Sequence, residues 1–128
     1  MYNPFSLTGK TILVTGASSG IGRVVAIECA KMGASLVITG RDAGRLDETF
    51  ALLEGDKHIR VVADLSKYED IENLVNQCPP LDGFSNNAGI IKVVLVKFIS
   101  REYLGDTLST NTIAPILLTQ LLVKKKKL

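Results

Sequence analysis

The chain has 128 residues, 46% of them hydrophobic and 22% charged, with a formal net charge of +2. That length fits a single small α/β domain over residues 1–128, and a charge this close to balance points to no nucleic-acid partner. Its apolar stretches are broken by Lys92, Lys97 or Gln120 well short of a membrane span, and the Met1-Tyr2-Asn3-Pro4 start has no basic run leading into an apolar segment, so no membrane association is expected and a cytoplasmic location follows.

The first element is a short β-branched apolar run, Thr11-Ile12-Leu13-Val14-Thr15, which predicts a strand over 11–15. Ile21, Val25, Cys29 and Met32 then recur at helical spacing until Gly33 stops the pattern, which predicts a helix over 21–32 with those side chains as its apolar face. Between them lies Thr15-Gly16-Ala17-Ser18-Ser19-Gly20-Ile21-Gly22, a glycine-rich turn in the strand-turn-helix setting that a dinucleotide pyrophosphate requires. Gly16 supplies the tight turn, Gly20 lets backbone N–H groups approach a phosphate, and Gly22 lets the helix pack closely on the strand. The helix N-terminus adds a partial positive charge. On this reading Gly16, Ser18, Ser19, Gly20, Ile21 and Gly22 hold the cofactor. The bland alternative is a tight loop in an unrelated α/β domain.

The next strand, Ser35 to Thr39, ends at Gly40-Arg41, where a dinucleotide fold places the group that reads the ribose. A carboxylate there would accept hydrogen bonds from the 2′-hydroxyl of NAD, whereas a guanidinium fork would hold the 2′-phosphate of NADP, so Arg41 favours NADP (NADPH) over NAD. The alternative is a solvated arginine beside a helix cap. Asp42 is that cap, opening a helix over 43–53 whose inward face is Leu46, Phe50 and Leu53. His58, the sole histidine, precedes a strand over 59–63 and reads as a surface loop residue with no cluster that would make a metal site. Ser66-Lys67-Tyr68-Glu69 fits a capping box for a helix over 67–78, with Ile71, Leu74, Val75 and Cys78 at core spacing and Pro79-Pro80 as its stop. Cys29 and Cys78 lie on apolar helix faces and read as small hydrophobes, not as a disulfide.

A fourth strand near 82–86 is weakly marked, because Gly83-Phe84-Ser85 has little β-branched content. Ile90 to Ile99 reads as a loop with room for one short strand, and a helix follows from about residue 101. Pro115 stands four residues after Asn111 on that helix. Proline has no N–H for the Asn111 carbonyl, so the helix should bend there and leave either a directed acceptor or, as in an ordinary proline kink, a carbonyl satisfied by water. Beyond it, Ile116, Leu117, Leu121 and Leu122 keep an apolar face, and Lys124 to Lys127 oppose the negative end of the helix dipole. Alternation of strands and helices implies a parallel sheet covered on both faces.

These segments, in this order, resemble the N-terminal part of the short-chain dehydrogenase/reductase family. The resemblance implies that Asp64, followed by Leu65, ends the third strand against the adenine. It implies that Asn86-Asn87-Ala88-Gly89 steadies the sheet and lines the cofactor through Asn87, Ala88 and Gly89, and that Asn111 is the catalytic asparagine of a proton relay. The implied fold is a Rossmann-like doubly wound sheet, incomplete, in the order 3-2-1-4. The implied activity is hydride transfer between nicotinamide and a small-molecule carbonyl or alcohol, with 3-oxoacyl thioester reduction the first expectation. The family's chemistry also needs a serine on a fifth strand and a Tyr-x-x-x-Lys pair. Here Tyr2, Tyr68 and Tyr103 are followed four places on by Ser6, Glu72 and Thr107. The chain matches about half of a family domain and is expected to be inactive alone, with its fourth strand exposed as an edge through which Leu81 to Asn87 would pair copies into a homo-oligomer. The alternative is a non-catalytic dinucleotide-binding or interaction module.

Overall fold

The computed structural model describes residues 2–91 and 93–128, so the readings placed on Met1 and Lys92 lie outside the described residues. Strands β1 (Thr11–Val14), β2 (Ser35–Gly40), β3 (Ile59–Val62) and β4 (Gly83–Ser85) alternate with helices α1 (Gly20–Lys31), α2 (Ala43–Ala51) and α3 (Tyr68–Gln77). Helices α4 (Arg101–Leu108) and α5 (Ala114–Lys124) follow. The strands form one parallel sheet in the order β3-β2-β1-β4, in agreement with the expected Rossmann-like arrangement.

Because side chains alternate along a strand, β1 and β2 each feed two cores. Leu13 and Val37 point to the face covered by α3 and α5, where they meet Leu74, Val75, Leu118 and Leu122. Val14, Leu36 and Ile38 point to the face covered by α1 and α2, where they meet Ala26, Ala30 and Leu46. Burial of each Leu, Ile or Val contributes about 1.5–3 kcal/mol relative to exposure. The short β4 is held by its register with β1, Gly83 beside Ile12 and Ser85 beside Val14.

Several local readings are corrected. In α1 the buried residues are Gly22, Ala26 and Ala30, while Ile21 is 76% exposed. Small side chains let this helix sit close to the sheet, so the inward face is one position away from that of the larger apolar residues. In α5 the buried set is Ala114, Leu118, Leu121 and Leu122, and Ile116 faces outward. The capping box at Ser66 does not form. Helix α3 starts after Lys67, and the Ser66 hydroxyl instead donates to the Asp64 carboxylate at 2.7 Å. With the helix opening one residue later, Ser66 lies outside the N-cap, and its hydroxyl is free to donate to the nearby carboxylate.

His58 is not a plain surface residue. Its Nδ1 accepts the Leu36 N–H at 3.1 Å, which leaves Nε2 as the donor to the Glu54 carbonyl at 2.6 Å. Residues 96–98 make a single 3-10 turn, and no strand occurs among the described residues of the 90–99 segment. The lysine run is also tied into the fold. Lys127 Nζ donates to the Val75 and Asn76 carbonyls at the end of α3, and its own carbonyl accepts the Leu81 N–H. Both cysteines are free; Cys78 is buried, and that burial pushes its thiol up to about 11.

Candidate functional site

A cleft of about 880 Å3 opens at the C-terminal ends of the strands, bounded by the β1–α1 loop, the end of β2, the residues after β3 and the loop after β4. In an open parallel sheet this is the rim where ligands sit, and the volume suits a cofactor-sized molecule.

The β1 side of the cleft is built around one buried hydroxyl. Thr15, with no exposed surface, donates from Oγ1 to Asn86 Oδ1 at 3.1 Å. The same oxygen accepts the N–H groups of Asn87 at 3.1 Å and Ala88 at 3.3 Å. Asn87 Nδ2 in turn donates to the carbonyl and hydroxyl of Ser85. The loop after β4 is thereby fastened to the end of β1. Gly16 makes that closeness feasible: its φ is +63°, and a Cβ built there would lie 2.4 Å from the Asn87 carbonyl oxygen. At Gly22 a Cβ would lie 2.0 Å from the Gly16 carbonyl oxygen, so α1 can rest against the turn only through a glycine.

The β2 side carries the charge. Arg41 and Arg45 both line the cleft beside Gly40, where a Cβ would lie 2.8 Å from Ser18 Oγ. Asp42 also borders the cleft, yet its carboxylate is engaged as the α2 cap, accepting the Arg45 N–H at 3.1 Å. Asp64 stands behind this rim. Burial pushes its carboxyl up, but hydrogen bonds from the Ser66 hydroxyl and N–H, with the Arg41 and Lys67 charges nearby, outweigh burial and hold it below the usual carboxylate range. Its N–H is taken by the Asp70 carboxylate at 2.7 Å.

At the far end, Pro115 is accommodated by a π-helical turn over Ser109–Ile113, in which the Ala114 N–H reaches back to the Ser109 carbonyl. The Asn111 side chain does not reach into the cleft. Its Oδ1 accepts the Ile90 N–H at 2.8 Å and its Nδ2 donates to the Ile90 carbonyl at 2.9 Å, a two-point clip on the loop after Gly89. Thr110, its neighbour, is the residue of this turn that lines the cleft.

Of the residues singled out from sequence, Gly16, Ser18, Ser19, Gly20, Ile21, Gly22, Arg41, Leu65, Asn87, Ala88 and Gly89 all line one cleft, whereas Asp64 and Asn111 stand outside its lining. Sequence reasoning missed Thr15 and Arg45. The resemblance marked the Asn-Asn-Ala-Gly segment that Thr15 binds, but nothing local marks a threonine whose partners are 71 to 73 residues away.

A family model described as short chain dehydrogenase matches residues 10–127. The chain is 33% identical over 119 residues to the 3-oxoacyl-acyl-carrier-protein reductase FabG of Rickettsia felis, which covers 93% of this chain and 49% of that protein. It is 32% identical over 126 residues to the L-xylulose reductase of Caenorhabditis elegans, covering 94% and 49% respectively. A solved chain from Escherichia coli CFT073, described as a short chain dehydrogenase and complexed with NADPH, superposes with a TM-score of 0.84 at 30% identity, over 96% of this chain and 55% of that one. The chain spans about half the length of these relatives.

Proposed function

The chain belongs to the short-chain dehydrogenase family, and from that premise we propose that it is the cofactor-binding portion of an NADP-dependent oxidoreductase that moves hydride between nicotinamide and a carbonyl or alcohol. The observation that carries the NADP assignment is at the end of β2: two guanidinium side chains, Arg41 and Arg45, border the cleft, and the one nearby carboxylate lining it, Asp42, is occupied in capping α2. A 2′-phosphate finds a charge-assisted fork there, whereas a free ribose 2′-hydroxyl finds no uncommitted carboxylate. The amides of the β1–α1 loop would hold the pyrophosphate, and at Gly20 the space beside the backbone is open, with no heavy atom within 4 Å of a built Cβ.

NADPH, when bound, supplies the hydride. The residues of this chain bind and orient it: Asn87, Ala88 and Gly89 wall the cleft, held in place by Thr15 from one side and by Asn111 from the other. In the complete enzyme the Asn111 carbonyl, which Pro115 cannot engage, serves the proton relay that the family resemblance implies. No tyrosine in these 128 residues has a lysine four places on, so we assign binding and not turnover to this chain. That same fact favours a second reading, a dinucleotide-binding or interaction module without catalysis of its own. For the complete enzyme we favour a 3-oxoacyl thioester substrate, on the likeness to the Rickettsia felis reductase, and action in the cytoplasm. We also propose that copies pair along β4, which has β1 on one side and lies at the sheet edge.

Titration of NADPH against NADH tests the cofactor assignment. NADPH is expected to bind more tightly, and Arg41→Asp is expected to erase the difference; equal affinities for the unaltered chain would overturn it. Carbonyl-dependent NADPH oxidation is expected to be absent, and measurable turnover would refute the assignment of binding alone.

A further inference from the structure

Two consecutive carbonyls in the β1–α1 loop are held from outside the cleft. Thr49 of α2 has no exposed surface, and its Oγ1 lies 2.7 Å from the Ala17 carbonyl oxygen. Arg23 of α1 donates from Nε to that same Oγ1 at 2.8 Å and from a terminal nitrogen to the Ser18 carbonyl at 2.6 Å. The guanidinium is itself steadied by the Arg45 carbonyl at 3.1 Å and the Glu48 carboxylate at 3.3 Å. A threonine hydroxyl has one proton. With Arg23 donating to its oxygen, that proton goes to a carbonyl, and Ala17 is closer than Arg45, which lies at 3.3 Å. A charged donor on the oxygen also polarises the hydroxyl and strengthens the bond it makes.

In a planar trans peptide the C=O of one residue and the N–H of the next point in opposite directions. Fixing the Ala17 and Ser18 carbonyls toward Thr49 and Arg23 therefore aims the Ser18 and Ser19 N–H groups the other way, and both serines line the cleft. We infer that Thr49 and Arg23 are positioning residues that set two amide donors of the anion cradle without touching the ligand. The identity of the anion rests on the cofactor reading above; the orientation of the amides does not.

Two measurements separate those claims. The first is the affinity of the full chain for NADPH and for adenosine 2′-phosphate, a probe that carries the 2′-phosphate but no pyrophosphate. Thr49→Val is expected to weaken NADPH about tenfold, the size of one lost charge-assisted bond, and to leave adenosine 2′-phosphate within about twofold. Thr49→Ser should restore the wild-type value, and Arg23→Met, at a more exposed site, should repeat the selective loss if the valine variant folds poorly. The second is amide order measured by 15N relaxation without cofactor: Ser18 and Ser19 should fall from near ~0.85 toward ~0.6 in both variants while β1 stays rigid. Equal weakening of both probes, or unchanged order at Ser18 and Ser19, would overturn the positioning role. Loss of order in the variants of a chain that binds no NADPH would support that role and sink the cofactor reading instead.

Discussion

Replacing Thr15 by valine removes a hydroxyl and little else, since valine keeps the β-branch and nearly the same volume at a position with no exposed surface. Three interactions go: donation to Asn86 at 3.1 Å and acceptance from the N–H groups of Asn87 at 3.1 Å and Ala88 at 3.3 Å. A hydrogen bond contributes about 1 kcal/mol net, and a buried donor left without an acceptor costs about 1–3 kcal/mol. The amides here are only partly buried, so water offsets some of that cost, and the 3.3 Å contact counts as weak. We expect Thr15→Val to cost about 2–3 kcal/mol, which at a urea dependence of about 1–3 kcal/mol per molar moves the unfolding midpoint by about 0.7–3 M. Thr15→Ser keeps the oxygen and loses one methyl, and should cost only about 1 kcal/mol. Urea unfolding followed by circular dichroism gives both values. A valine variant as stable as the parent, or a serine variant as damaged as the valine one, would show that the hydroxyl does not fasten the two loops.

Gly16→Ala puts a Cβ against backbone atoms of Asn87 and Ala88 at positive φ, and should cost about 3 kcal/mol or more, whereas Gly20→Ala, with φ +57° but open space, should cost about 1 kcal/mol. Thermal unfolding ranks the two, and equal losses would contradict the geometry. The depressed Asp64 carboxyl favours the folded state at pH above its ordinary value of 3.8, and that contribution fades as pH falls through the lower folded value. Wild type and Asp64→Asn should therefore differ most near neutrality and converge in acid; a gap independent of pH in acid titrations would refute the linkage. Sedimentation velocity should show concentration-dependent association through β4, and a monomer at every concentration would exclude it.

The strands and helices were legible because their marks are local: β-branched runs for β1 and β2, glycine and proline at helix ends, and the fixed context of the Gly16–Gly22 turn. The sheet order followed from the family resemblance, not from any strength in Gly83-Phe84-Ser85. What was not legible depends on distance or on shape. Thr15, Thr49 and Arg23 bond residues far away along the chain, and a hydroxyl in an apolar run looks like any other strand threonine. The inward face of α1 was misread because close packing selects Gly22, Ala26 and Ala30 over bulkier neighbours, and a pattern of large apolar residues misses such a face. The capping box at Ser66 fails because the helix opens one residue later than the Ser-x-x-Glu spacing indicates, which leaves Ser66 outside the N-cap with its hydroxyl on the Asp64 carboxylate.

The turn at Ser109–Ile113 acts as a phase adjuster between two parts of the molecule. An i→i+5 closure takes in one residue more than a regular helical turn, so α5 leaves it set back by about 100° relative to an uninterrupted helix. That single surplus residue brings Leu118 and Leu122 into the core while Asn111 stays in step with Ile90. Without it, Leu117 would arrive where Leu118 now sits, and Leu118 and Leu122 would turn out to the exposed positions that Thr119 and Val123 now hold.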